Sequence, residues 1–228
     1  MCFSAGASFG AGAVLSVIGV ASIKQAKSPS QIIFASIPLI FAVQQITEGF
    51  LWLSLSNPNY AFMQQVTIYI FLFFAQVAWP VWVPVAILKL EQKERRRKSE
   101  NILVGIGALV SIYLAYCLLA FPVEAKILGR HIFYEQNYPA AISHYCGFLY
   151  IVATIVPSFF SRISRMWMLG TTILISYIIT TIFYTDYIVS VWCFFASIIS
   201  IAVYAILYAL NNPNKIIPKI AIDEISKP

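Results

Sequence analysis

The chain has 228 residues, 60% of them hydrophobic and only 11% charged, and several apolar runs exceed the roughly 18 residues that mark a membrane span. That balance excludes a soluble domain and fits a polytopic membrane protein. The formal charge of +6 does not point to nucleic acid, because the basic residues lie between the apolar runs, where they act as topology signals.

In chain order the apolar runs predict seven helices, at roughly 5–23, 31–55, 61–88, 101–122, 142–161, 165–185 and 188–210. The expected fold is an all-α, seven-transmembrane-helix bundle occupying residues 1–210 as one domain, with 211–228 as a flexible cytoplasmic tail that opens on Asn211-Asn212-Pro213. The first run follows Met1-Cys2-Phe3-Ser4-Ala5 without a basic n-region, since Lys24 and Lys27 come only after it. It therefore reads as a retained helix with an exported N-terminus, not as a signal peptide. With that orientation every Lys and Arg except Lys126 and Arg130 falls on the cytoplasmic side, so each connection obeys the positive-inside rule and the C-terminus is cytoplasmic.

The first helix carries Gly6, Gly10, Gly12, Ser16 and Gly19, with a GxxxG spacing from Gly6 to Gly10, and reads as a packing helix. The second starts after Ser28-Pro29-Ser30 and is expected to kink at Pro38. In the third, Trp79-Pro80-Val81-Trp82-Val83-Pro84 removes two backbone donors four residues apart, which bends the helix and suits the wall of a cavity. The plainer alternative is a static kink with both tryptophans in the inner interfacial belt. Lys89 to Glu100 is a basic cytoplasmic loop. Val123 to Ala141 is the sizeable exported segment, either a short hairpin turning at Gly129-Arg130 or an interfacial helix, and in both cases a possible lid. Helices 1 to 3 and 5 to 7 run in matching directions, but no residue-level repeat relates them.

Within the second helix, Phe41 to Trp52 puts a carboxylate and two amides into an apolar run. Gln45, Glu48 and Trp52 share one face with Gln44 beside them. A charge near the bilayer centre costs at least about 2.5 kcal/mol, so Glu48 is expected to face other helices or a water-filled cavity, supported by the Gln45 amide and the Trp52 indole. Its simplest role is a hydrogen-bonded carboxyl that ties helix 2 to its neighbours. The ligand-binding or proton-relay candidates are Glu48, Gln44, Gln45, His144, Gln76 and Trp52.

Cys2, Ser4, Glu48, Cys117, His144, Cys146, Asp186 and Cys193 all fall in the outer half of this topology. Of these, Cys2, Glu48, His144, Cys146 and Asp186 are of ligand type for zinc or copper, but no pair has a recognised ligand spacing. Free thiols are the default for the four cysteines, and a disulfide is the alternative on an oxidising exterior. Helix 7 has no Lys for a retinal Schiff base, two histidines cannot build a three-histidine zinc site, and no Walker, Rossmann or GxSxG pattern is present.

Met1-Cys2-Phe3-Ser4-Ala5, Gln44-Gln45-x-x-Glu48-Gly49-x-x-Trp52 and Trp79-Pro80-x-Trp82-x-Pro84 together resemble an uncharacterised bacterial family of small seven-helix membrane proteins. The resemblance spans nearly the whole chain and implies a bacterial inner-membrane location, but no activity. Two functions follow from the residues. One is binding or transport of a small polar solute or ion in an outward-facing cavity around Glu48. The other is a membrane-embedded, metal-dependent enzyme at the outer surface using Glu48, His144 and Cys2 or Cys146.

Overall fold

The computed structural model describes residues 4–91, 98–184, 187–192 and 195–212, without the side chains of 140–144, 188 and 192. Its helices are α1 (Ala5–Gln25), α2 (Pro29–Ala35), α3 (Ile37–Ser56), α4 (Gln64–Leu72), α5 (Trp79–Leu90), α6 (Lys98–Ala120), α7 (Ala140–Phe160), α8 (Met166–Phe183), α9 (Ile188–Trp192) and α10 (Ala196–Asn211). A 3₁₀ turn (Pro58–Met63) leads into α4, and a π-helical segment (Phe73–Ala78) joins α4 to α5. One hairpin, β1 (Val123–Leu128) and β2 (His131–Gln136), interrupts an otherwise helical chain.

Among the described residues six stretches are long and apolar enough to cross a membrane: Ala5–Gln25, Pro29–Ser56, Pro58–Leu90, Lys98–Ala120, Met166–Phe183 and Val189–Asn211. Large side chains stand bare on their outer faces, Leu109, Ile112, Tyr116 and Leu119 of α6 among them, an arrangement that only a bilayer solvates. The chain is a multi-pass membrane protein.

Helix α1 lies along α3, and the contact departs from the expected GxxxG. Among the described residues nothing lies within 4 Å of where a Cβ on Gly6 or Gly10 would stand, whereas one on Gly12 would meet Ile46 at 2.6 Å and one on Gly19 would meet Leu39 at 2.5 Å. The buried face of α1 is Ser8, Gly12, Leu15, Gly19 and Ser22. Its spacing of alternating four and three residues keeps one seam toward a neighbour along the whole helix, which a single GxxxG pair does not.

The second span breaks at Ser36, ahead of Pro38, which sits in the first turn of α3. Ser36 Oγ donates to the Ile33 carbonyl at 2.8 Å and Trp82 Nε1 donates to it at 3.2 Å. In the third span, Pro80 has no N–H to close a ring onto the carbonyls behind it, and the helix widens to the π form just before it. Tyr150 Oη donates to Ala75 O at 2.6 Å and Ser111 Oγ to Val77 O at 2.7 Å, so neighbouring helices supply the missing donors. Pro84 likewise cannot donate to Pro80 O. Gly107 of α6 presses there so closely that a Cβ would lie 1.9 Å from that oxygen.

The segment between α6 and α7, expected from the sequence to be exported, holds the hairpin. Leu128 pairs with His131 across Gly129-Arg130, and Gly129 at φ 62° supplies the positive φ of a two-residue II′-type turn. Val123, Ala125, Ile132 and Tyr134 turn inward onto Leu51, Trp52, Ile68, Phe71 and Leu118, with Tyr134 stacked on Phe71 at 5.1 Å. The hairpin therefore closes one end of the bundle, over α3, α4 and α6.

Candidate functional site

Two polar centres result, one sealed and one open. The sealed one is Glu48, fully buried. Its Oε1 accepts from Ser190 Oγ of α9 at 2.7 Å. Its Oε2 accepts from Gln45 Nε2 at 3.3 Å and from Ser8 Oγ of α1 at 3.5 Å. The carboxyl thus ties three helices together. Next to it Gly49 lets the Phe9 ring of α1 approach to where a Cβ would stand. Trp52 does not join this cluster: its indole nitrogen is buried with no hydrogen-bond partner, and the ring packs under the hairpin instead. One full turn further along α3 than Glu48, the ring has moved up the helix to α4 and the strands, whose apolar faces take up its large surface.

The open centre is a cavity of about 590 Å³ lined by α3, the π-helical segment, α5 to α10 and the end of the hairpin. Gln44 and Gln76 of the sequence candidates reach it, as does Cys146; Glu48, Gln45 and Trp52 are not among its wall residues. Adjacent positions on α3 diverge by about 100°, which sends Gln44 to the cavity and Gln45 away from it, while Glu48, one turn beyond Gln44 along the helix, meets α1 and α9. Gln44 Oε1 accepts from Trp79 Nε1 at 3.0 Å, and Phe41 stacks on the same indole at 4.1 Å. Trp79 is 7% exposed, and Trp82 is turned inward onto Ile33. A carbonyl and an amide oxygen inside the bundle accept from both indole donors.

Gln76 sits in the π-helical segment, where the wide turn carries it into the cavity. Its Nε2 donates to Gln136 Oε1 of β2 at 2.9 Å, and its Oε1 accepts from the Tyr138 hydroxyl at 3.1 Å. The hairpin and the residues after it are thus part of the wall. Of two buried polar groups belonging to wall residues, Gln136 Nε2 has no hydrogen-bond partner among the described residues and the Tyr113 hydroxyl meets only the Cys117 thiol. Gln136, Tyr113 and Tyr138 escaped the sequence reading because a lone Gln or Tyr at a strand end or on an apolar helix carries no spacing signal. No charged side chain stands in the described wall.

The remaining candidates separate. Cys2, Asp186, Cys193 and the side chain of His144 lie outside the described residues, as does the tail beyond Asn212. Cys117 and Cys146 are buried free thiols, and among the described residues no three His, Cys, Asp or Glu side chains converge as a metal site would need. At the far end of α5, Glu91, which the sequence reading left within the charged loop, is 5% exposed. It accepts from Ser161 Oγ at 2.7 Å and from the Arg162 backbone N–H at 2.6 Å. It anchors the turn between α7 and α8.

A family model with the description "Family of unknown function (DUF6629)" matches residues 1–216. No curated protein and no solved structure matches the chain.

Proposed function

The chain belongs to the DUF6629 family, and we propose that it is a bacterial inner-membrane protein of seven spans that binds a small uncharged molecule in the cavity beside Gln44 and Gln76. The N-terminus is outside and the C-terminus cytoplasmic. The count of seven is supported by α7, whose 21 residues at about 1.5 Å each reach the thickness of a hydrocarbon core. Orientation rests on the distribution of Lys and Arg, and the bacterial membrane on the sequence resemblance.

The observation that carries the binding reading is the composition of the cavity wall, which is mostly apolar and aromatic with a few amides and hydroxyls. Such a surface is characteristic of small-molecule sites. A solute ion is disfavoured, because a charge moved into this wall would lose its hydration without a counter-charge, at a cost of several kcal/mol. Binding is the step shared by a receptor and a carrier. N-phenyl-1-naphthylamine, an uncharged dye that brightens in dry surroundings, tests the reading. Purified wild type is expected to show a saturable component near one dye per chain. Thr154→Trp, which fills the cavity from α7, is expected to lose that component while keeping its melting temperature within a few degrees. Equal dye uptake by the two proteins would sink the proposal.

A further inference from the structure

We infer that the ligand of this cavity is a lipid-soluble, uncharged molecule whose polar end is a hydrogen-bond acceptor, a carbonyl or ether oxygen, held by the Gln136 amide nitrogen and the Tyr113 hydroxyl. The inference rests on the cavity being the binding site and adds which chemistry it selects.

The amide relay at the hairpin has a direction. The Tyr138 hydroxyl donates to Gln76 Oε1, and Gln76 Nε2 donates to Gln136 Oε1, so the relay ends on Gln136 Nε2. That nitrogen is buried and has no acceptor. On α6, the Tyr113 hydroxyl is buried against the Cys117 thiol, a weak acceptor, and meets no oxygen or nitrogen among the described residues. An N–H without an acceptor and an O–H that meets only a thiol stand in one wall, and such poorly satisfied buried donors are destabilising in the empty protein. An acceptor oxygen on the ligand satisfies what the protein leaves open.

The rest of the wall selects against the alternatives. Phe41 and Trp79 form a stacked pair on the α3 and α5 side, with Val83, Leu169 and Ile173 continuing the apolar surface. A hydrocarbon would fill this region but leave both donors unmet. A carboxylate or ammonium would meet no opposite charge in the described wall. A ring or chain ending in a carbonyl suits both regions, and its oil solubility brings it to the site through the bilayer.

Competition against the naphthylamine dye tests the assignment with three molecules of one size: 2-acetylnaphthalene, 2-isopropylnaphthalene and 2-naphthoate. On wild type the ketone is expected to displace the dye at a concentration about tenfold below that of the other two, the discrimination typical of one or two satisfied buried donors. Tyr113→Phe removes a hydroxyl whose neighbour is the weakly accepting Cys117 thiol, so it is expected to fold and to lose most of the ketone's advantage. Adding Gln136→Leu is expected to abolish it while the dye still binds. Should the double variant not fold, Tyr113→Phe alone decides. Saturable dye binding with ketone and hydrocarbon equal overturns the ligand class and leaves the binding site standing. A ketone advantage that survives in the variants overturns the two named contacts. Absence of any saturable dye component removes the site itself, and this inference with it.

Discussion

Glu48 illustrates what a single ionisable side chain does when a bundle closes around it. Three donors from Ser8, Gln45 and Ser190 meet its two oxygens, so the carboxyl is held from α1, its own helix and α9. Glu48→Gln keeps one acceptor oxygen, and a serine hydroxyl can turn to accept from the new amide. A loss under about 1 kcal/mol is expected. Glu48→Leu strands the donors, and a loss of about 1 to 3 kcal/mol is expected, a fall of several degrees in the melting temperature of the purified protein. Because Glu48 is not among the wall residues of the cavity, dye affinity of the folded Gln variant is expected to stay within about twofold of wild type. A folded Glu48→Gln protein without dye binding would show that the carboxyl serves the ligand and not the helices. Gly107 is the second decisive residue. Gly107→Ala puts a methyl 1.9 Å from Pro80 O, a clash with backbone that overpacking data value at about 1 to 3 kcal/mol or more. Gly105→Ala, where nothing lies within 4 Å, is expected to be neutral or stabilising by about 0.5 to 1 kcal/mol. Parallel melts of the two variants check both signs.

Among the elements, the third span and the hairpin act together. The proline-driven change from α to π geometry swings Gln76 into the cavity, and the hairpin grips that same side chain through Gln136 and Tyr138. The hairpin's other anchor is His131, stacked on Tyr187 at 4.7 Å and edge-on to Tyr184 at 5.4 Å. Burial holds the His131 imidazole below the ordinary histidine value. A histidine with a depressed folded-state pKa binds fewer protons when docked than when released. Its contribution to docking is therefore complete above the ordinary value of about 6.5 and is lost as the pH falls below that toward the folded pKa. Amide hydrogen exchange in 123–136, corrected for intrinsic rates, is expected to show more frequent opening at pH 5.5 than at 7.5. In His131→Phe the two values are expected to coincide. An unchanged difference in that variant would assign the pH response to another group. The Lys126–Glu135 pair at 2.6 Å is exposed on both sides, and ion pairs of that kind contribute little to docking.

At the scale of the whole molecule the question is which way the bundle sits in the membrane. The basic loop 89–100 and the hairpin are expected on opposite sides, the loop in the cytoplasm. In a cysteine-free background, Arg130→Cys is expected to react with a membrane-impermeant maleimide on intact cells, and Lys98→Cys only after permeabilisation. The opposite pattern would invert the orientation and turn the hairpin end of the cavity inward. A further fastening lies where Asn211 bonds Gln31 and the Gln25 carbonyl, and Lys27 donates to Asn211 O at 2.9 Å. These contacts join the start of the second span to the end of the last.

The amino-acid sequence alone determined the membrane class, the places where spans break and the burial of Glu48. Those follow from local quantities: the length of apolar runs, the missing N–H of Pro38, Pro80 and Pro84, and the cost of a carboxyl in hydrocarbon. The sequence left 123–141 open between a hairpin turning at Gly129-Arg130 and an interfacial helix, and the strand pairing of the structure decides for the hairpin. What faces what was decided only in three dimensions. Gly12 and Gly19 won the α1 seam over Gly6 and Gly10 because shape against Ile46 and Leu39 settles the contact, not the presence of a glycine pair. Gln44 and Gln45 parted because the rotation of α3 is set by all its neighbours together. Gln136, Tyr113 and Tyr138 entered the wall from distant parts of the chain. Amides and hydroxyls have no fixed ligand spacing by which one helix announces another, so a site built from them exists only once the helices have packed.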